Sequence, residues 1–142
     1  MIIESIELQN YRNIEKLKLP LGEKNNILYG DNAQGKTNLL EAIFFGSTGK
    51  SFRFCKDKEL IHFGAEEAHL KMILKKKGIS HRIDIHLKKN KSKGVAIDGF
   101  PVKKSSELFG LGNIIIFSPE DLSLIKNGPR ERRRFIDLEL CQ

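Results

Sequence analysis

Hydrophobic and polar residues alternate over the first twenty positions, a pattern typical of strands that bury one face. The alternation covers residues 2–8 and resumes over residues 14–19, with an interruption at residues 11–13. Pro20 and Gly22 end the second run, because both residue types break regular strand structure. We therefore predict two strands in this part of the chain.

Residues 68–98 alternate in the same way and predict a meander of three strands. We expect these strands over residues 68–76, 80–88 and 94–97. In the middle strand, three apolar residues alternate with four polar or charged ones: Ile83, Ile85 and Leu87 with Arg82, Asp84, His86 and Lys88. One face of this sheet is thus predicted to be apolar, and the other polar and basic.

Two short apolar runs, residues 26–29 and residues 113–117, predict buried strands. A helical pattern over residues 37–45 follows the first run, and its apolar positions fall on one face: Leu39, Leu40, Ile43 and Phe44. Four other helices are expected, near residues 57–61, 105–109, 118–126 (capped by Ser118 and Pro119) and 130–140.

The composition fits one globular domain or part of one, because 39% of the 142 residues are hydrophobic and 30% are charged. No apolar run approaches the roughly 20 residues that span a membrane, and no signal peptide precedes the first strand. Cys55 and Cys141 form no pattern, which fits a reducing cytoplasm. The four histidines lack the spacing of metal ligands: His62, His69, His81 and His86.

The positive charge is concentrated in one segment. Residues 71–104 contain eleven Lys or Arg residues and two acids, a balance of +9, whereas the whole chain carries +7. A basic stripe of this kind is expected of a face that binds a polyanion. The alternative is a solvated, lysine-rich hairpin that protects an exposed sheet edge. The charge alone does not separate these two interpretations.

Residues 30–37 read G-D-N-A-Q-G-K-T and match the phosphate-binding loop G-x-x-x-x-G-K-T. Gly30 and Gly35 permit backbone dihedrals that turn successive N–H groups inward. These N–H groups and the positive end of the following helix bind phosphate oxygens. Lys36 supplies a positive charge at the β- and γ-phosphates, and the Thr37 hydroxyl is expected to ligate Mg²⁺.

The flanking sequence supports this match, because a predicted strand, the loop and a predicted helix follow one another over residues 26–46. A second G-K-S sequence at residues 49–51 is not a loop of this kind, since Phe44 stands where its first glycine would be needed. We interpret it as an ordinary connection.

A P-loop hydrolase also needs an apolar strand that ends in an aspartate for Mg²⁺, with a glutamate nearby. Asp98 precedes a glycine in a predicted hairpin turn, Asp121 follows a Ser-Pro break, and Asp137 lies in a helical stretch. None of the three fits this element. We therefore expect the missing half of the site beyond Gln142.

The chain resembles the RecF family of DNA-repair ATPases, which are related to the heads of SMC proteins. The resemblance spans nearly the whole chain and is specific in its later part. The matching stretches are Y-R-N at 11–13, the loop and helix at 30–43, T-G-K-S-F-R at 48–53, F-S-P-E-D-L at 117–122, G-P at 128–129 and R-R-R-F at 132–135.

This resemblance implies an α/β fold, the N-terminal lobe of an ABC-type ATPase head with a mixed or antiparallel sheet and few helices, in an incomplete domain. It also implies ATP and Mg²⁺ as cofactors, and Arg12 and Asn13 near the phosphates. The implied nucleotide contacts in the loop are Gly30, Asp31, Asn32, Ala33, Gln34, Gly35, Lys36, Thr37 and Asn38.

The family further implies ATP-dependent dimerisation, DNA binding, and work with RecO and RecR in repair of gapped DNA, replication and the SOS response. We expect DNA on the basic segment, at Lys75, Lys76, Lys77, Arg82, Lys88, Lys89, Lys91 and Lys93. The run at residues 132–134 either contacts DNA or a partner subunit or forms a solvated helix face. The family's metal-binding aspartate, catalytic glutamate and signature segment are expected beyond this chain. We therefore do not expect efficient ATP hydrolysis by this chain alone.

Two other functions stay open from the sequence. A P-loop kinase that phosphorylates a small molecule shares the loop, although the lead-in strands argue against it. Alternatively, the basic meander docks an acidic protein such as a recombination mediator.

Overall fold

The computed structural model describes residues 1–53, 55–117, 129, 133 and 136. Six strands form one antiparallel sheet in the order β2-β1-β3-β4-β5-β6. The strands are β1 (Ile2–Tyr11), β2 (Ile14–Pro20), β3 (Glu67–Lys76), β4 (Ile79–Lys88), β5 (Lys91–Ile97) and β6 (Phe100–Pro101). One α-helix, α1 (Lys36–Thr48), and two 3-10 helices, Asp57–Leu60 and Ser105–Leu108, complete the described elements.

The alternating pattern predicted the sheet well. The two lead-in strands and the three-stranded meander are confirmed, and only the two-residue strand β6 was missed. Each alternating run has its own pairing partner: β1 lies between β2 and β3, with Leu8 opposite Leu17 on one side and Leu70 on the other. Most apolar residues of β1, β3, β4 and β5 therefore fall on one face, where they form the core.

Helix α1 lies against that apolar face. Its inward positions are Leu39, Ala42 and Phe45, whereas the predicted face included Leu40, which is exposed. Gly46 lets the helix approach closely, since a Cβ there would lie 3.0 Å from Cε of Met72 in β3. The C-terminal half of α1 is accordingly the more buried half, with every residue from Phe44 to Thr48 buried.

Two strand predictions were wrong. Residues 26–29 and 113–117 are not part of any described strand, and Tyr29 and Phe117 are 90% and 85% exposed. A buried strand is covered on its faces by other elements, and Tyr29 and Phe117 lack that cover among the described residues. An apolar run of this kind favours burial, but it does not identify the strand with which the run would pair.

The short helices predicted near residues 57–61 and 105–109 are confirmed as 3-10 turns. The predicted helices at 118–126 and 130–140, together with Asp121, Asp137, Arg132 and Arg134, lie outside the described residues, although Arg133 itself is helical and exposed. Among the helices that are described, none has the length and apolar character needed to cross a membrane.

Candidate nucleotide-binding site

The loop before α1 has the backbone that its glycines were expected to permit. Gly30, Ala33 and Gly35 all have positive φ angles, of 142°, 65° and 96°. Gly35 is the N-cap of α1, and no side chain of the described residues caps the helix start. The first N–H groups of α1 therefore remain available to an anion, at the positive end of the helix.

Lys36 folds back over the loop. Its Nζ donates hydrogen bonds to the carbonyl oxygens of Gly30, at 2.7 Å, and Asp31. The ammonium group thus lies at the opening of the loop, beside the free N–H groups of the helix start. A bound polyphosphate would offer the ammonium group charged oxygens in place of these carbonyls.

Asn13 braces the loop from the turn between β1 and β2. Its Nδ2 donates to the carbonyl oxygen of Ala33 at 3.1 Å, and its Oδ1 accepts from Nδ2 of Asn38 at 2.8 Å. The Oδ1 of Asn38 in turn accepts from the guanidinium of Arg53 at 2.9 Å. These bonds join the lead-in turn, the loop and the segment after α1. Arg53 was not among the predicted site residues, because nothing in its spacing points to Asn38.

Replacing Gly35 with alanine should destabilise the protein, because Gly35 has φ +96° and the added Cβ would lie 2.8 Å from Asn13 Oδ1. The backbone strain costs about 1–2 kcal/mol, and the clash adds to it. The matched control is Gly64→Ala, since Gly64 has φ +87° and no described atom within 4 Å of its added Cβ. Urea unfolding should show the larger loss for Gly35→Ala; equal losses would contradict the close contact with Asn13.

Arg12, the other predicted phosphate neighbour in this turn, has a buried partner. Its guanidinium donates two hydrogen bonds to the carboxylate of Glu41 in α1, at 2.9 and 2.8 Å, and contacts the Glu59 carbonyl oxygen and Cys55 Sγ. In the described part of the chain, the Arg12 side chain therefore bonds to Glu41, Glu59 and Cys55, and it makes no hydrogen bond to residues 30–37. The structure therefore gives Arg12 a bracing role under α1, and its phosphate contact stays a prediction.

The Glu41 side chain is 0% exposed and accepts hydrogen bonds from Arg12 and Ser51, with Arg53 at 3.6 Å. Burial raises the pKa of Glu41, but the hydrogen bonds from Arg12 and Ser51 and the charges of both arginines outweigh burial, so the pKa lies below its ordinary value. The hydrogen bond to Glu41 likewise raises the pKa of Arg12. Sequence reasoning missed Glu41, because an acid in a helix ordinarily faces solvent.

A cavity of about 600 Å³ opens beside the loop. Its walls come from β2, the segment before the loop, and the start of α1, with Ile14, Leu17, Tyr29 and Lys36 among the lining residues. The cavity is large enough for a nucleoside, and it adjoins the end of the loop where Lys36 lies.

The predicted basic stripe does not occupy one face of the sheet. Lys93 lies on the helix side, with its Nζ 2.9 Å from Asp57 and 5.2 Å from the centre of the Phe45 ring, and Lys76 contacts the Gly110 carbonyl oxygen. On the strands and turns, other ion pairs of the described basic segment are Lys71–Glu7, Lys75–Glu4, Arg82–Asp84, Lys88–Glu67 and Lys89–Glu66. Alternation along each strand divides the charges between the faces, and neighbouring acids offset part of them.

An antiparallel sheet stacked on a helix that begins at a G-x-x-x-x-G-K-T loop defines the chain as the lobe of an ABC-type P-loop ATPase head. The family model described as RecF/RecN/SMC N terminal domain matches residues 2–123. The chain belongs to this family, and the resemblance stated from its motifs is confirmed.

Individual relatives agree with this assignment. The DNA replication and repair protein RecF of Lachnoclostridium phytofermentans is 62% identical over 142 residues, which are all of this chain and 39% of the relative. The RecF of Clostridium acetobutylicum is 46% identical, again over all of this chain and 39% of the relative. The chain thus spans about two fifths of the length of these curated relatives.

Solved structures match as well. A structure of the recombination mediator protein RecF with ATP has a TM-score of 0.90 and 39% identity, covering 95% of this chain and 38% of that one. A structure of an SMC ATPase, described with ATP-driven dimerisation and DNA-stimulated activation, has a TM-score of 0.75 at 22% identity, covering 97% of this chain and 99% of that one. The second likeness shows the fold alone.

Proposed function

We propose that this chain is the ATP-binding part of a RecF-like protein that binds DNA in an ATP-dependent way during replication and repair. The observation that carries the proposal is the loop at residues 30–37, with Lys36 at its opening and a helix start whose N–H groups no described side chain caps. The names of the relatives, which include a RecF structure with ATP, support this assignment.

The triphosphate would lie along the loop, in contact with residues 30–38, and the nucleoside would extend into the adjacent cavity. Thr37 is exposed in the first turn of α1, so its hydroxyl is accessible to a Mg²⁺ ion between the phosphates. Asn13 holds the loop in this shape, and Arg12 supports the helix from below. Hydrolysis would need a metal-binding aspartate and a catalytic glutamate from other segments or from a partner subunit.

The kinase alternative is weaker, because both lead-in strands are present and add a sheet beside the loop that a kinase of this class does not need. We instead propose an ATP-dependent homodimer, mediator proteins of the RecR and RecO type as partners, a role in the SOS response, and a cytoplasmic location. These proposals concern the whole protein and rest on its family.

DNA would bind the outer sheet face and the two hairpin turns. Lys75, Arg82 and Lys88 point outward from their strands, and Lys77 and Lys91 have no acidic partner among the described residues. We expect the logarithm of the affinity for duplex DNA to fall with the logarithm of salt concentration, with a slope of about −0.9 for each phosphate contact.

The test is fluorescence anisotropy of labelled DNA with the full-length protein, at several salt concentrations, with and without ATP. ATP should tighten binding by the wild type and leave Lys36→Ala unchanged. The double variant Lys77→Ala/Lys91→Ala should reduce the salt slope by about 2, whereas the exposed Lys24→Ala should preserve it. Equal binding with and without ATP, or an unchanged slope in the double variant, would contradict the proposal.

A further inference from the structure

A cluster of three side chains on the outer face of the sheet has no part in the nucleotide site. Glu67 and His69 alternate along β3, and His86 lies directly opposite His69 on β4. The His86 Nε2 is 3.1 Å from one carboxylate oxygen of Glu67, and the His69 Nε2 is 3.7 Å from the other. The two imidazole rings stack with their centroids 3.9 Å apart.

These three groups have the chemistry of a transition-metal site. Each offers one donor atom, and the three donor atoms lie within 4.8 Å of one another. Two imidazole nitrogens and a carboxylate form a ligand set that Zn²⁺ accepts, with bonds of about 2.0–2.2 Å. Tetrahedral bonds of that length separate the ligand atoms by about 3.4 Å, so three donor atoms that lie within 4.8 Å of one another need only small side-chain movements to reach that spacing.

We propose that Glu67, His69 and His86 bind a divalent transition-metal ion of the zinc class, with water in the fourth position. The stacked rings would tilt toward the ion, and the bound ion would link β3 to β4. A groove of about 560 Å³ on this face includes both histidines in its wall and provides a path for the ion.

Lys88 is the natural competitor of this ion. Its Nζ lies 3.5 Å from a carboxylate oxygen of Glu67 and neutralises part of the negative charge that would attract a metal ion. Removing the lysine charge should therefore strengthen metal binding while removing an imidazole weakens it.

The experiment measures binding of Zn²⁺ by calorimetry, and of Co²⁺ by its visible absorption, to the full-length protein without nucleotide. The variants are His69→Ala, His86→Ala, Lys88→Met and the matched control His81→Ala, whose histidine contacts Asp98 on another part of the sheet. Circular dichroism of each variant establishes that it is folded.

We expect one ion per chain at this site, at least about tenfold weaker binding for His69→Ala and His86→Ala, and tighter binding for Lys88→Met. The Co²⁺ spectrum should lack the thiolate absorption that Cys55 would add. His81→Ala should bind as the wild type does. Three results would each overturn the proposal: no saturable binding by the wild type, equal loss in His81→Ala, or a thiolate spectrum.

Discussion

Replacing Glu41 with alanine should lower the free energy of unfolding by about 3–5 kcal/mol, the range measured when one partner of a buried ion pair is removed. The Glu41 carboxylate is fully buried and receives both hydrogen bonds of the Arg12 pair, at 2.9 and 2.8 Å. Its removal leaves the Arg12 charge under α1 with the Glu59 carbonyl and Cys55 as its remaining described partners, and it also takes away the acceptor of the Ser51 O–H, which keeps only the hydrogen bond it accepts from the Arg53 N–H.

Urea unfolding measures this loss, with Glu15→Ala as the control because Glu15 is exposed on β2. The double variant Arg12→Leu/Glu41→Leu should lose clearly less unfolding free energy than the single variants Arg12→Leu and Glu41→Leu lose together. The reason is that the double variant leaves neither charge unpaired. A loss for Glu41→Ala below about 1 kcal/mol, similar to that of Glu15→Ala, would refute the bracing role of this pair.

The same pair predicts a pH dependence. The pKa of Glu41 is lower in the folded protein than its ordinary value of 4.5, so the unfolded chain takes up a proton first as the pH falls. The stabilisation is therefore fully present above pH 4.5 and is lost as the pH falls through the folded-state pKa. The difference in stability between the wild type and Glu41→Gln should be constant near neutral pH and shrink in acid.

The sheet could be predicted because its signal is local. Alternation with a period of two residues is visible in each strand, and one buried face was enough to place the side chains of β1 to β5. The strand predictions for residues 26–29 and 113–117 failed for the opposite reason. Burial of an apolar run depends on a neighbour that is distant in sequence, and the local pattern does not specify that neighbour.

The nucleotide loop could be predicted because each of its positions has a separate physical requirement, from Gly30 through Lys36. The bonds that hold the loop in place were only partly visible. Asn13 was expected near the loop and braces it, whereas the partner of Arg12 proved to be Glu41, 29 residues away. Contacts of this length follow from packing of α1 on the sheet.

The histidines show the same limit. His69 and His86 lie 17 positions apart, and neither spacing nor neighbours predict a metal site. The register of the β3–β4 hairpin brings them face to face, and that register is set by the apolar residues on the other side of the sheet. A cluster of this kind becomes visible only when strand pairing is known.

Replacing Lys36 with alanine should weaken ATP binding about 100-fold. Lys36 Nζ lies at the opening of the loop, on the Gly30 and Asp31 carbonyl oxygens, and would exchange them for charged phosphate oxygens. Hydrogen bonds to charged groups contribute about 1.5–3 kcal/mol each, and every 1.4 kcal/mol is a tenfold change in Kd. Stability should change little, since the Lys36 contacts are to exposed carbonyls.

Calorimetric titration of ATP with Mg²⁺ into the full-length wild type, Lys36→Ala and Lys50→Ala tests the triphosphate cradle most directly. Lys50 is the matched control, because it is an exposed lysine of the second G-K-S sequence, just beyond the far end of α1. Our account predicts equal Kd values for the wild type and Lys50→Ala and a roughly 100-fold higher Kd for Lys36→Ala. Binding of ATP by Lys36→Ala as tight as by the wild type would contradict it.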